Sequence, residues 1–176
     1  MQRIGKEVYS NQILTLIEGE KRNPSNIIND KIVTISAPTW VNIIPITANE
    51  EVVFVKQYRY GTKKSTLEIP GGMVDDGESS LKAIQRELLE ETGYLSNDIT
   101  KLGDVSPNPA LFTNKVSSYL AYDVQKISNY VSEESDKIEV ITIPIKNVPN
   151  LIVNGDIDHA LVIAAFYLYE KLNNDI

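Results

Sequence analysis

The chain has 176 residues, no cysteine, a formal net charge of −7 and a pI near 4.8. Lack of cysteine excludes disulfides, thiolate zinc sites and cysteine nucleophiles, and it is compatible with a reducing compartment. The acidic balance argues against a broad nucleic-acid surface, which needs clustered Lys and Arg, and no apolar run approaches the ~20 residues of a membrane span.

The opening "MQRIGKEVYSNQ" lacks the apolar centre of a signal peptide, so the expectation is a cytoplasmic protein without membrane or nucleic-acid partners. Within residues 1–38, "QILTLIEGE" and "DKIVTIS" flank the polar insert "KRNPSNIIND". They predict a small antiparallel β element of two or three strands, set apart from a main domain over 39–176. From Trp40, "VNIIPIT" and "EVVFVKQYR" read as strands joined by "ANEE", and "STLEIP" as another leading into Gly71 and Gly72. A helix opens at Ser79 or Ser80, either able to cap it, and stops at Gly93. Beyond it "KLGDVSP", "VSSYLAYDV" and "IEVITIPI" read as strands and "DHALVIAAFYLYEKL" as a closing helix. Strands, helix, strands, helix predict a mixed sheet covered by helices, in the α/β or α+β class.

The first helix carries an unusual density of acid. At 100° per residue Leu81, Ile84 and Leu88 share a stripe predicted to face the core, with Glu87, Glu90 and Glu91 on the adjoining side. Like charges at i,i+3 and i,i+4 repel by roughly 0.2–0.5 kcal/mol per pair, and carboxylates near a helix C-terminus oppose the macrodipole. Arg86 reaches Glu90 at i,i+4 but cannot neutralise three acids. A hard divalent cation would, and a solvated acidic face is the plain alternative; the spacing alone leaves both open.

The wider stretch "GGMVDDGESSLKAIQRELLEETGY" places Gly72, Glu78, Arg86-Glu87-Leu88, Glu90-Glu91 and Gly93 in fixed register over 23 residues. It resembles the Nudix box, with Tyr94 standing where an aliphatic residue is usual. The resemblance implies a Nudix fold, an α/β/α sandwich with a mixed β-sheet, and hydrolysis of a nucleoside diphosphate linked to another group. It further implies Mg²⁺, with Mn²⁺ as a second candidate, held by Glu87, Glu90, Glu91 and the Gly71 carbonyl. Arg86 would orient the acids, chiefly through Glu90. Glu78 would tie the loop to the helix or reach a metal through water. Glycines 71 and 72 allow close backbone approach to metal and phosphate, or simply form a turn before the helix.

"VVFVKQYRYG" followed by "LEIPGG" resembles the ADP-ribose and nucleotide-sugar pyrophosphatase branch, over about Trp40 to Ile163. Pro107 and Pro109 match a proline past the box, and Ala110 stands where that branch commonly has glycine. Arg59 is then a candidate diphosphate or ribose contact, set against a surface salt bridge. Trp40 is a candidate for stacking an adenine, although a core anchor is the commoner use of a lone tryptophan. Glu133 and Glu134 of "VSEESDKIEV" are candidate bases, and His159 reads as a helix-start residue. The branch further implies a homodimer paired through N-terminal strands. The rival readings are hydrolysis of modified nucleoside triphosphates and a non-catalytic ligand-binding module.

Overall fold

The computed structural model describes residues 5–23, 26–127 and 138–174. Strands β1 (Lys6–Ser10), β2 (Thr15–Asn23) and β3 (Asn26–Ser36) pair antiparallel in the order β1-β2-β3. Asn11 makes the first reversal, because its Oδ1 accepts the Ile13 and Leu14 N–H groups at 2.8 and 2.9 Å and so substitutes for a backbone turn acceptor. The end of β3 is stitched to the rest of the chain where Ile35 N–H donates to the Leu111 carbonyl at 2.7 Å.

Next come β4 (Trp40–Pro45), β5 (Glu51–Arg59), β6 (Lys64–Glu68), β7 (Gly71–Met73) and helix α1 (Ser80–Thr92). Strands β8 (Tyr94–Leu95), β9 (Ile99–Val105), β10 (Val116–Ala121), β11 (Gln125–Lys126) and β12 (Glu139–Pro144) lead to helices α2 (Val148–Asn154) and α3 (Ala160–Asn174). A four-stranded sheet runs β7-β4-β10-β9, with β4 and β10 parallel and the outer pairs antiparallel. A three-stranded antiparallel sheet runs β12-β5-β6, and an Ile46 to Val52 bridge links the ends of β4 and β5.

Side-chain alternation makes these strands the middle layer of a sandwich. On one side Val41, Ile43 and Val53 pack with Ala83, Ile84 and Leu88 of α1. On the other, Ile44, Ile46 and Phe54 pack with Val162, Ala165 and Phe166 of α3. The result is an α/β/α sandwich around a mixed sheet. Burial of the large aliphatic side chains at these positions, at about 1.5–3 kcal/mol each, is the main force holding the helices to it.

The box helix starts and stops at the expected residues. Ser79 Oγ accepts the Lys82 N–H at 3.3 Å, and Gly93 adopts φ 73°, donating its N–H to Leu89. One expectation is corrected: Leu81 is exposed, and the core stripe is Ala83, Ile84, Leu88, Glu91 and Thr92. Angular position alone misplaces Leu81, which lies in the first turn, ahead of the helix's buried stretch. Gly71 and Gly72 form an edge strand on β4 instead of an ordinary turn. Helix α2 was not predicted: its N-terminal proline and the left-handed Gly155 stop are helix signals, but seven residues are too few to show a period.

Candidate active site

Strand β7 and helix α1 face each other across the box, and two glycines set the spacing. A Cβ on Gly71 would lie 2.2 Å from the Val41 carbonyl oxygen, and one on Gly72 would lie 2.2 Å from Glu87 Oε1. Neither position can carry a side chain without displacing its neighbour. Gly71 N–H donates to Glu91 Oε2 at 3.0 Å, closing the strand onto the helix.

Arg86 organises the acids. Its Nε and Nη2 donate to Glu78 Oε1 and Oε2 at 3.3 and 3.1 Å, Nη1 to Glu87 Oε1 at 2.9 Å and Glu90 Oε2 at 3.3 Å, and Nη2 also to the Met73 carbonyl at 3.1 Å. The expectation that Arg86 works chiefly through Glu90 is therefore corrected. Its two-pronged partner is Glu78, because a carboxylate reached side-on matches the planar guanidinium fork. Glu78 ties the loop to the helix, accepting the Asp75 N–H as well, and the Arg86 hydrogen bond holds its carboxyl below the usual range.

The three helix acids differ in burial: Glu91 is 8% exposed, the Glu87 side chain 15% and the Glu90 side chain 45%. Burial pushes Glu91 up to about 8, with the Gly71 N–H opposing and Glu87 adding to the rise. Glu87 is raised for the same primary reason, against the pull of Arg86. Among the described residues no group of three or more His, Asp or Glu converges to hold a metal. Arg86 draws Glu87 and Glu90 toward itself, and Gly71 N–H engages Glu91. The donor chemistry nonetheless fits a hard cation: carboxylates on one helix turn, with Glu87 and Glu91 raised by burial, beside a glycine strand that admits close approach. Glu87, Glu90, Glu91 and the Gly71 carbonyl are the residues that would hold it.

Beside this cluster opens a cavity of about 650 Å³ lined by Trp40, Asn42, Arg59, Glu68, Gly71, Gly72 and His159 among others. Arg59, at the end of β5, grips Glu68 at the end of β6 with Nε to Oε1 at 2.7 Å and Nη2 to Oε2 at 2.6 Å. Burial would raise the Glu68 carboxyl, yet the hydrogen bonds from Arg59 and from Thr66 Oγ1 at 2.6 Å hold it below its ordinary value. Arg59 thus forms the ion pair weighed as an alternative while also lining the cavity. Trp40 tilts against Phe112 at 5.5 Å between centroids and is partly buried on the cavity wall, so it is an anchor and a lining residue at once. His159 stands at the start of α3 as expected. Glu133 and Glu134 lie outside the described residues.

Sequence reading missed Glu68 and Asn42. Glu68 sat in plain view in "LEIPGG", but nothing local showed that it faces Arg59. Asn42 carried a usable signal, a lone amide in the apolar run "VNIIP". Buried on β4, it donates Nδ2–H to the Leu161 carbonyl at 3.3 Å and ties the sheet to α3.

A family model described as NUDIX domain matches residues 38–166. The chain is 30% identical over 131 residues to the ADP compounds hydrolase NudE of Escherichia coli K12, covering 74% of this chain and 69% of that one. It is 23% identical over 168 residues to an ADP-ribose pyrophosphatase of Bacillus subtilis 168, covering 94% and 90%, and 28% identical over 128 residues to a GDP-mannose pyrophosphatase of Klebsiella pneumoniae, covering 68% and 64%. A crystal structure of an ADP compounds hydrolase shares the fold, with a TM-score of 0.81 at 24% identity over 97% of this chain and 91% of that one. The chain belongs to the Nudix family, as a pyrophosphatase related to the hydrolases of ADP compounds and nucleotide sugars. The matched region contains β7, the loop after it and the acid helix, the stretch that resembles the Nudix box.

Proposed function

We propose that the protein hydrolyses the diphosphate bond of ADP-ribose or a related nucleotide sugar, with Mg²⁺ and with Mn²⁺ as the alternative ion. The products are a nucleoside monophosphate and a sugar phosphate, and water is the nucleophile. The observation that carries this reading is that the β7 glycines line the cavity and also lie against the acid helix, Gly72 against Glu87 and Gly71 against Glu91. A diphosphate beside those glycines would have the box acids on one side and room for a nucleoside and a sugar on the other. The relatives named for ADP-ribose, other ADP compounds and GDP-mannose support the same substrate class.

Bound divalent ions would supply charge neutralisation of the diphosphate and a water of lowered pKa. The chain's own residues do the rest. Arg86 fixes the orientations of Glu78, Glu87 and Glu90, and Gly71 N–H fixes Glu91. Arg59 contributes positive charge at the cavity wall, Trp40 an aromatic surface, and Glu133 or Glu134 the base that receives the water's proton. Residues 1–38 would pair two copies as a homodimer. Exposed Val8, Tyr9, Ile32 and Val33 on β1 to β3 support that assembly, since they offer apolar surface to a partner. The reading places the enzyme in the cytoplasm, where such nucleotides are handled; among the described residues no helix is long and apolar enough to cross a membrane.

The test is purified protein with Mg²⁺ against ADP-ribose, other nucleotide sugars, dinucleoside polyphosphates and nucleoside triphosphates, with the phosphate products identified. Release of AMP and ribose 5-phosphate, or their counterparts, is expected. Tight binding without turnover of any compound would overturn the enzymatic reading. Sedimentation of the full chain reports the dimer.

A further inference from the structure

His159 is the sole histidine of the chain, and the start of α3 fixes both its backbone and its ring. Its carbonyl accepts the Val162 and Ile163 N–H groups at 3.0 and 3.1 Å, and its Nδ1 accepts the Leu161 N–H at 3.2 Å. An Nδ1 that accepts carries no proton, so the neutral ring must bear its hydrogen on Nε2. The helix start therefore sets the tautomer. On the far side of the ring, Nε2 lies 3.8 Å from Glu68 Oε2, too far for a direct hydrogen bond. Both residues line the cavity.

We propose that His159 is a specificity-determining residue whose Nε2–H, together with the Glu68 carboxylate, grips one hydroxyl of the substrate's sugar. The inference rests on the nucleotide-sugar reading above and deepens it. A hydroxyl is both donor and acceptor, and it can accept from Nε2–H while donating to Oε2. With both contacts near 2.8 Å, a 3.8 Å separation places them about 85° apart at the hydroxyl oxygen, an accessible angle.

Charge selects among possible occupants. Glu68 is held as an anion by the Arg59 fork and Thr66, so a phosphate at this position would meet a carboxylate. A neutral polyol meets no such repulsion. Lys64 is engaged by the carboxylate of Asp158, the residue before His159. The diphosphate therefore belongs toward the box, and the sugar toward α3.

The experiment compares wild type with His159→Asn and His159→Gln on an ADP-sugar and on its singly deoxygenated sugar analogues, with Mg²⁺, recording KM and kcat separately. Asparagine keeps an acceptor for the Leu161 N–H but does not reach Glu68, whereas glutamine carries an amide N–H farther out. His159→Asn is expected to raise KM about tenfold while kcat changes less, and His159→Gln to recover part of the loss. Wild type should penalise one deoxy analogue about tenfold, and His159→Asn should be indifferent to that same hydroxyl. Unchanged KM, or equal losses across every analogue, would overturn the assignment. If His159→Asn melts early, the glutamine variant carries the comparison. Turnover of nucleotide sugars with an indifferent His159 sinks this inference alone; no turnover of any nucleotide sugar by wild type sinks both readings.

Discussion

The carboxylate of Glu91 accepts the Gly71 N–H at 3.0 Å from a position in which it is only 8% exposed, so the least solvated acid of the box is also the one tied to the edge strand. Removing its charge should separate function from fold. Glu91→Gln retains an oxygen to accept that N–H and loses only the anion. Turnover with Mg²⁺ should fall on the order of a thousandfold, while far-ultraviolet circular dichroism and the melting midpoint stay at or above wild type. Near-normal turnover would remove Glu91 from the metal set.

The same carboxyl gives the metal-free protein a defined pH response. Burial raises Glu91 from an ordinary glutamate value of 4.5 to about 8 in the fold, so between those values the folded state binds the proton more tightly than the unfolded chain. Its contribution to stability is complete below about 4.5 and is lost as pH rises through about 8. In chelator, the melting midpoint of wild type should decline across that window, with Glu87 adding in the same direction. Glu91→Gln should flatten the decline, and Mg²⁺ should suppress it while releasing protons on binding.

Gly71 and Gly72 are adjacent, yet alanine should act differently at each. At Gly72 the new Cβ meets the end of the Glu87 side chain and not backbone, so the fold should hold better than at Gly71 while metal affinity falls about 10–100-fold, read by calorimetric titration. At Gly71 the obstacle is the Val41 carbonyl, which cannot move without parting β7 from β4. Chemical denaturation should show Gly71→Ala to be the less stable by about 1–3 kcal/mol.

Arg86→Lys keeps the charge and loses the fork. Glu78, Glu87 and Glu90 would then lack their common donor, and the Met73 carbonyl would lose its side-chain partner. A loss of about 1–3 kcal/mol in stability is expected, because a point-charge ammonium cannot reproduce a bidentate contact. An unchanged denaturation midpoint would show that the hub is not structural.

What could be read in advance follows the reach of each signal. Helix α1 was legible because cap, period and stop all lie within sixteen residues, Ser79 to Tyr94, and because the box itself is contiguous. The strands β4, β5, β9, β10 and β12 were legible from their apolar runs. Short strands β7, β8 and β11 exist only through their partners, and two or three residues hold no period. The Arg59 to Glu68 fork and the nearby His159 join β5, β6 and the start of α3 through tertiary folding. The burial of Glu91 was not legible for a related reason. A glutamate is expected at the surface, and only the packing of α1 on the sheet shows that one of three is buried.

Strand β4 separates two tasks by parity. Trp40, Val41 and Asn42 all line the cavity, but only Val41 and Ile43 are packed against the acid helix, so the odd positions answer to a demand that 40 and 42 do not share. Substrate preference on this scaffold can therefore drift by exchange at Trp40 while the acid helix keeps its seat on Val41 and Ile43. A library randomised at residue 40 would sample new specificities with the acid helix seated as before, whereas changes at 42 would also cut the Asn42 tie to α3. One randomised at 41 and 43 would mostly yield unfolded protein.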